Sequence, residues 1–230
     1  MTRIGVLTGL AREAAVVEGA GWPSETALTV AAGGAEPART RAEAQRLAGE
    51  RPDLLVSFGL AGGLDPAYRP GALVLPGAVV DAEGGRWPVA PDWYGALLAA
   101  CPDAHRSAAV VGVDTPVTTP AAKRALAADT GAAAVDMESV VLARVAAGAG
   151  LPLLVVRAVC DPAERSVPGV VQTLLDAQGR VRWHRVPAVL PHLRSVIALG
   201  VDSGRATRSL RGAAAALAQL AKARPRPTAS

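Results

Sequence analysis

AVDMES (residues 134–139), a run of small and apolar residues, and then LPLLVVRAVCDP (151–162): how this stretch reads decides the fold. Val140 to Ala149 has the composition of a helix, which the acidic motif opens and a Gly-Leu-Pro turn ends. Leu153 to Val159 is a continuous apolar strand that stops on Cys160 and Asp161. Uninterrupted apolar runs of this length belong to strands buried on both faces, as in parallel sheets, and open α/β sheets bind ligands beyond the carboxyl ends of such strands. Asp161 therefore stands where chemistry is expected. Glu138 falls in the first turn of the preceding helix, which places two carboxylates at one crevice.

The α/β alternation extends toward the N-terminus. Ile4 to Thr8 reads as a strand, turning through Gly9-Leu10-Ala11-Arg12-Glu13 into a helix that runs toward Glu18. One glycine in that loop is not a G-x-G-x-x-G fingerprint, so no nicotinamide or flavin is expected. Strand Leu28 to Ala32, a charged helix from Glu36 to Glu50 and strand Leu54 to Phe58 follow. The last ends in a loop, Gly59 to Leu64, whose glycines let the backbone approach a ligand or take positive φ. Ala72 to Leu75 and Ala78 to Asp81 are short strands, residues 84–91 a turn-rich excursion, and Trp87 and Trp93 packing residues. Strand Ala108 to Val113 leads to Thr119-Pro120, a cap and first helical position that open a helix to Ala128, and Ala132 to Val135 is the strand before the acidic motif.

Beyond Asp161 the character changes. Residues 162–166 form a loop, 170–176 a short helix and 179–185 a basic connector. Two helices are expected, about 187–201 with a stripe of Leu190, Leu193, Ile197 and Val201, and about 207–222 with Leu210, Ala214, Leu217 and Ala221. Residues 180–230 hold ten Lys/Arg against one acidic residue, whereas residues 1–179 hold 14 against 19. A basic block of this kind suggests an anionic surface as partner. The tail lacks interleaved aromatics apart from Trp183, so no nucleic acid is expected. Cys101 and Cys160 form neither a metal spacing nor a disulfide framework, and no metal site is expected. The start of the chain passes from Met1-Thr2-Arg3 into a strand without an apolar leader, and the expectation is a cytoplasmic protein, in peripheral contact with the inner face of the membrane.

Four stretches, IGVLTGLARE (4–13), FGLAGGL (58–64), VDMES (135–139) and VVRAVCD (155–161), resemble in that order the motifs of the nucleoside phosphorylase superfamily, over roughly residues 3–175. Its members include methylthioadenosine/S-adenosylhomocysteine nucleosidases. The resemblance implies an α/β fold with a mixed central sheet flanked by helices, the active site at strand ends, and here a C-terminal helical extension. In domain terms, residues 1–179 are the catalytic domain, 180–223 a basic helical extension and 224–230 a disordered tail. It also implies roles. Asp161 matches the acid that delivers a proton to purine N7, and to donate at neutral pH it must be held protonated, by burial or by hydrogen bonding to its neutral form. Glu138 matches the residue that takes the ribose hydroxyls, Met137 the one against the sugar face, and Glu13 the one that activates water. Asp136, Ala61, Gly62, Val117 and Cys160 complete the expected substrate-binding set.

The phosphorylases hold phosphate with arginines on the first loop and before the glycine loop, and with a hydroxyl within it. Ser57 and Leu60 occupy the latter two positions here, which leaves Arg12, Arg39 and Arg41 as candidate phosphate ligands. Water activated by Glu13 is thus the expected nucleophile, inorganic phosphate the alternative co-substrate, and no other cofactor is expected. VDMES, the continuation DPAERSVP (161–168) and the basic tail look in particular like the hopanoid-associated phosphorylases. That branch implies release of adenine from adenosylhopane, a lipid-linked nucleoside, by a homo-oligomer. The alternatives are a methylthioadenosine/S-adenosylhomocysteine-type nucleosidase and a catalytically inactive membrane-binding scaffold.

Overall fold

The computed structural model describes residues 1–34, 36–167 and 193–223. In chain order the elements are β1 (Thr2–Thr8), α1 (Ala11–Glu18), β2 (Thr26–Ala32), α2 (Pro37–Gly49), β3 (Leu54–Gly63), β4 (Leu73–Pro76), β5 (Ala78–Val80), β6 (Arg86–Pro88), α3 (Pro91–Ala100), β7 (His105–Ser107), β8 (Val110–Gly112), α4 (Pro120–Thr130), β9 (Ala134–Asp136), α5 (Ser139–Ala149), β10 (Leu153–Asp161) and α6 (Leu193–Ala223). The strands make one mixed sheet with helices on both faces, as expected.

β3 is the hub. It pairs in parallel with β10 from Leu55 opposite Leu153 to Ala61 opposite Val159. Its other edge takes β1 in parallel as far as Ser57, and then β9 antiparallel from Gly62. On β10, Leu154, Val156 and Ala158 face the layer of α1, α3 and α6, while Leu153 and Val155 face α2 and α5. A strand covered on both faces needs apolar residues at consecutive positions, which is why its run is uninterrupted save for Arg157.

Helix ends follow their sequence signals. Thr119 caps α4 by accepting from Ala122 N–H at 3.2 Å, with Pro120 behind it, and Gly131 closes the helix at φ 65°. Gly150 closes α5 in the same left-handed conformation, at φ 64°, where a side chain would strain the backbone.

Three expectations are corrected. The loop expected at Gly59 to Leu64 is the second half of β3, because β10 on one side and β9 on the other carry the ladder through Gly63. The glycines of β3 have no positive φ and serve close packing instead. Residues 84–91 include a paired strand, β6, and Pro91 opens α3, whose Trp93, Leu97 and Leu98 are buried. The two C-terminal helices are one. Asp202-Ser-Gly-Arg-Ala206 reads as a break, yet Asp202 is buried between Arg165 and Arg205 and Ala206 is in the core, so the helix passes through.

The expected second stripe, Leu210, Ala214, Leu217 and Ala221, packs with Val156 and Ala158 of β10. Each leucine so covered contributes about 1.5–3 kcal/mol, which fixes this part of α6 to the sheet. Of the first stripe, Ile197 and Val201 are 56% and 52% exposed. The short helix at 170–176, the connector at 179–185, the segment 187–192 and the tail at 224–230 lie outside the described residues. Among the described residues no helix is long and apolar enough to cross a membrane.

Candidate active site

Between Ser57, where β1 stops pairing, and Gly62, where β9 begins, one edge of β3 is unpaired. A backbone N–H left there needs an acceptor. Leu60 N–H donates to Oε1 of Glu13 at 3.0 Å, while Oε2 accepts from Gly9 N–H (3.0 Å) and Leu10 N–H (2.8 Å). Glu13 is the third residue of α1 and so also ties down the start of its own helix, the arrangement that favours Glu there. A Cβ on Gly59 would lie 2.9 Å from Glu13 Oε2, and one on Gly9 2.7 Å from Glu138 Oε1. These glycines therefore make room for the protein's own carboxylates.

Beneath them lies Arg157, fully buried on β10. Its Nε donates to Asp136 Oδ2 at 2.6 Å, and its terminal nitrogens donate to Ser57 Oγ (2.6 Å), Ser139 Oγ (3.0 Å) and the Val156 carbonyl (3.2 Å). Asp136 spends its remaining capacity at the start of α5, accepting from Glu138 N–H (2.9 Å), Ser139 N–H (2.7 Å) and Ser139 Oγ (2.6 Å). Glu138 is 3.9 Å from the same guanidinium. Asp136, Glu138 and Glu13 thus all act on one buried cation. Burial raises the Glu13 carboxyl above its ordinary range, opposed by the Leu60 and Leu10 N–H groups. Glu138 is pushed up to about 8, by burial first and then by Asp136, with Arg157 opposing.

That shift has a sign. The folded protein holds a proton on Glu138 that the unfolded chain releases near 4.5, so the group's contribution to stability is full below about pH 4.5 and is lost as pH rises through about 8. Each pH unit in that window removes at most roughly 1.4 kcal/mol. Glu138→Gln cannot undergo this loss. The Tm of the wild type is expected to fall relative to E138Q by several degrees between pH 5 and pH 9, and parallel Tm curves would refute the assignment.

Asp161 ends β10 at a bulge: Val159 faces Ala61 and Asp161 faces Gly62, so Cys160 is the extra residue. Bulges turn side chains out of the ladder beside sites of this kind. The carboxyl is buried. Its Oδ2 is ion-paired with Lys123 of α4, and its Oδ1 accepts from the Cys160 thiol at 3.5 Å. Burial above all, and then Asp161, hold that thiol well above its usual range, so it stays protonated.

Glu13, Glu138 and Asp161 border one cavity of about 300 Å³, together with Met137, Asp136, Ala61, Gly62, Val117, Cys160 and Arg12. Leu10, Leu60, Val113, Pro116 and Val167 give it an apolar wall. Two expected residues are not there. Arg39 and Arg41 lie exposed on α2, and Arg41 borders a separate cleft with Arg144 and Asp114. Sequence reasoning missed Arg157, Ser139 and Lys123, and it took Ser57 only as the lack of a phosphate ligand.

The sequence profile of the phosphorylase superfamily matches residues 12–182. No curated protein sequence matches the chain. Among solved structures, the fold resembles the 5′-methylthioadenosine/S-adenosylhomocysteine nucleosidase of Helicobacter pylori with a TM-score of 0.66 at 17% identity, covering 71% of this chain and 87% of that one. S-adenosylhomocysteine nucleosidase of Streptococcus pyogenes gives 0.65 at 15% identity, over 71% and 85% of the two chains. Futalosine hydrolase of H. pylori gives 0.62 at 15%, over 71% and 86%. At such identities the likeness establishes the fold, and the profile, matched over most of the sequence, establishes the family: the chain belongs to the phosphorylase superfamily.

Proposed function

We propose that the protein cleaves the N-ribosyl bond of an adenosyl nucleoside and releases adenine, with water as nucleophile. The observation that carries this reading is the convergence of Glu13, Glu138 and Asp161 on one cavity. Breaking the bond from the sugar C1′ to N9 of the base leaves an oxocarbenium-like sugar and an anionic purine. Asp161, at the bulge, serves as the acid toward N7. Glu138 takes the ribose hydroxyls, for which a carboxyl titrating near 8 can both donate and accept. Glu13 receives the proton of the attacking water, its raised position making it a stronger base than an ordinary carboxylate.

The choice of water rests on charge. Among the described residues Arg12 is the one arginine bordering the cavity, and Arg157 is committed to Asp136, Ser57 and Ser139. A phosphate dianion would meet two carboxylates there with a single exposed guanidinium to offset them. The solved nucleosidases of similar fold are described with 5′-thio nucleosides or their analogues, and futalosine hydrolase is a hydrolase by name.

For the substrate's 5′ group we read a hopane lipid, making the nucleoside adenosylhopane. The apolar wall of Leu10, Leu60, Pro116 and Val167 suits an apolar substituent. Ile197 and Val201 on α6, in a basic part of the sequence, supply an exposed apolar patch suited to an anionic bilayer. Adenine release from 5′-methylthioadenosine and from a long 5′-alkyl adenosine, with and without phosphate and with the sugar product weighed by mass spectrometry, tests all of this. The expected result is free sugar, no response to phosphate, and a higher kcat/KM for the long-chain substrate. A sugar 1-phosphate formed only with phosphate present overturns the nucleophile, and preference for the methylthio compound overturns the lipid.

A further inference from the structure

We infer that Lys123 is the positioning residue through which Asp161 is aimed, an inference that rests on Asp161 being the acid. Lys123 is fully buried in α4, while the next residue, Arg124, is exposed. An ammonium taken out of water is tolerated only where every proton has an acceptor. Here its three protons meet three oxygens: Oδ2 of Asp161, the Pro162 carbonyl at 2.8 Å and the Arg165 carbonyl at 3.4 Å. The same bonds fix the loop that follows Asp161. That loop is pinned further by Val167 N–H donating to the Thr118 carbonyl at 2.9 Å, and by the Arg165 guanidinium pairing with Asp202 of α6. With Oδ2 occupied, Asp161 is left with Oδ1, which lies beside Gly62 and the Cys160 thiol at the cavity wall.

The bond between C1′ and N9 breaks and its electron pair passes to the base. Asp161, entering as the acid with its proton on Oδ1, gives that proton to N7, and the carboxylate so formed is held at Oδ2 by the Lys123 ammonium. Glu13 takes the proton released by the water that adds to C1′, and its return to Asp161 through solvent restores the acid.

Full-length wild type, Lys123→Met, Lys123→Arg, Asp161→Asn and the D161N/K123M double variant are compared on two substrates. Adenine release from 5′-methylthioadenosine needs N7 protonation; p-nitrophenolate release from p-nitrophenyl β-ribofuranoside needs no acid. K123M and K123R are expected to lower kcat for adenine at least about 10²-fold with KM little changed, since methionine donates nothing and the planar fork of arginine cannot set its protons on the same three oxygens. Both should keep p-nitrophenolate release within a few-fold, and D161N/K123M should be no slower than D161N, as for residues acting as one unit. K123R with wild-type adenine release, equal loss on both substrates, or multiplied losses in the double variant would overturn the inference. So would failure of D161N/K123M to fold, because that variant leaves no unpaired charge and Lys123 would then be structural. A fast D161N overturns the assignment of Asp161 itself, whereas slow D161N with fast K123M overturns this inference alone.

Discussion

Asp161→Asn is expected to lower the rate of adenine release by about 10²- to 10⁴-fold, the usual contribution of a general acid. Asparagine has nearly the shape of aspartate, and its amide oxygen can still accept from Lys123, so the bulge at Cys160 should persist. The ability to give a proton to the base is lost. An unchanged circular dichroism spectrum with kcat reduced by that factor is the supporting result. Turnover within a few-fold of wild type would remove Asp161 from the chemistry and leave the Asp-Pro pair as a loop cap.

Much of this architecture is legible in the sequence where burial on both faces writes it. The runs at 4–8, 54–58 and 153–159 are strands because β1, β3 and β10 are covered by helices on either side, and such coverage demands consecutive apolar residues. Thr119 and Pro120 mark a helix start because the threonine hydroxyl satisfies one orphan N–H and proline has none to satisfy. What is not legible depends on partners distant in sequence. FGLAGGL (58–64) has loop composition, and only the edges offered by β9 and β10 hold its first six residues as strand. The segment 202–206 reads as a break because the ion pair that keeps it helical comes from Arg165, 37 residues earlier.

The site divides in the same way. Glu13, Glu138 and Asp161 stand at element ends, where carboxylates are conspicuous. Lys123 and Arg124 are adjacent charges in a small helix, and nothing in their sequence says which is buried; the fold turns one inward to Asp161 and the other to solvent. Arg157 is different. It is a lone arginine between LPLLVV and AVC, and a charge inside a doubly covered strand must have a buried partner. The acidic motif about 20 residues upstream supplies that partner in Asp136, with Ser139 beside it, so the pattern of the sequence alone carries the signal that this arginine belongs to the site.

Arg157→Met should accordingly destabilise the fold more than any other single change at this site. Methionine fills much of the volume but leaves Asp136 without its counter-charge, and breaking a buried pair from one side costs about 3–5 kcal/mol. In a domain of this size that lowers Tm by roughly 6–20 °C. The loss should be largest at high pH, because Arg157 opposes the upward shift of Glu138 and its removal leaves that carboxyl harder still to ionise. Adding Asp136→Asn to Arg157→Met removes the stranded charge and should restore part of the lost stability, though not activity, since Ser57 and Ser139 would still lack the donor that orders them. Arg157→Lys should recover little, because one ammonium cannot span Asp136, Ser57 and Ser139 as the planar guanidinium does. A Tm for R157M within 2 °C of wild type, measured at pH 7 by calorimetry, would mean that Asp136 does not depend on the charge of Arg157 and would refute this role.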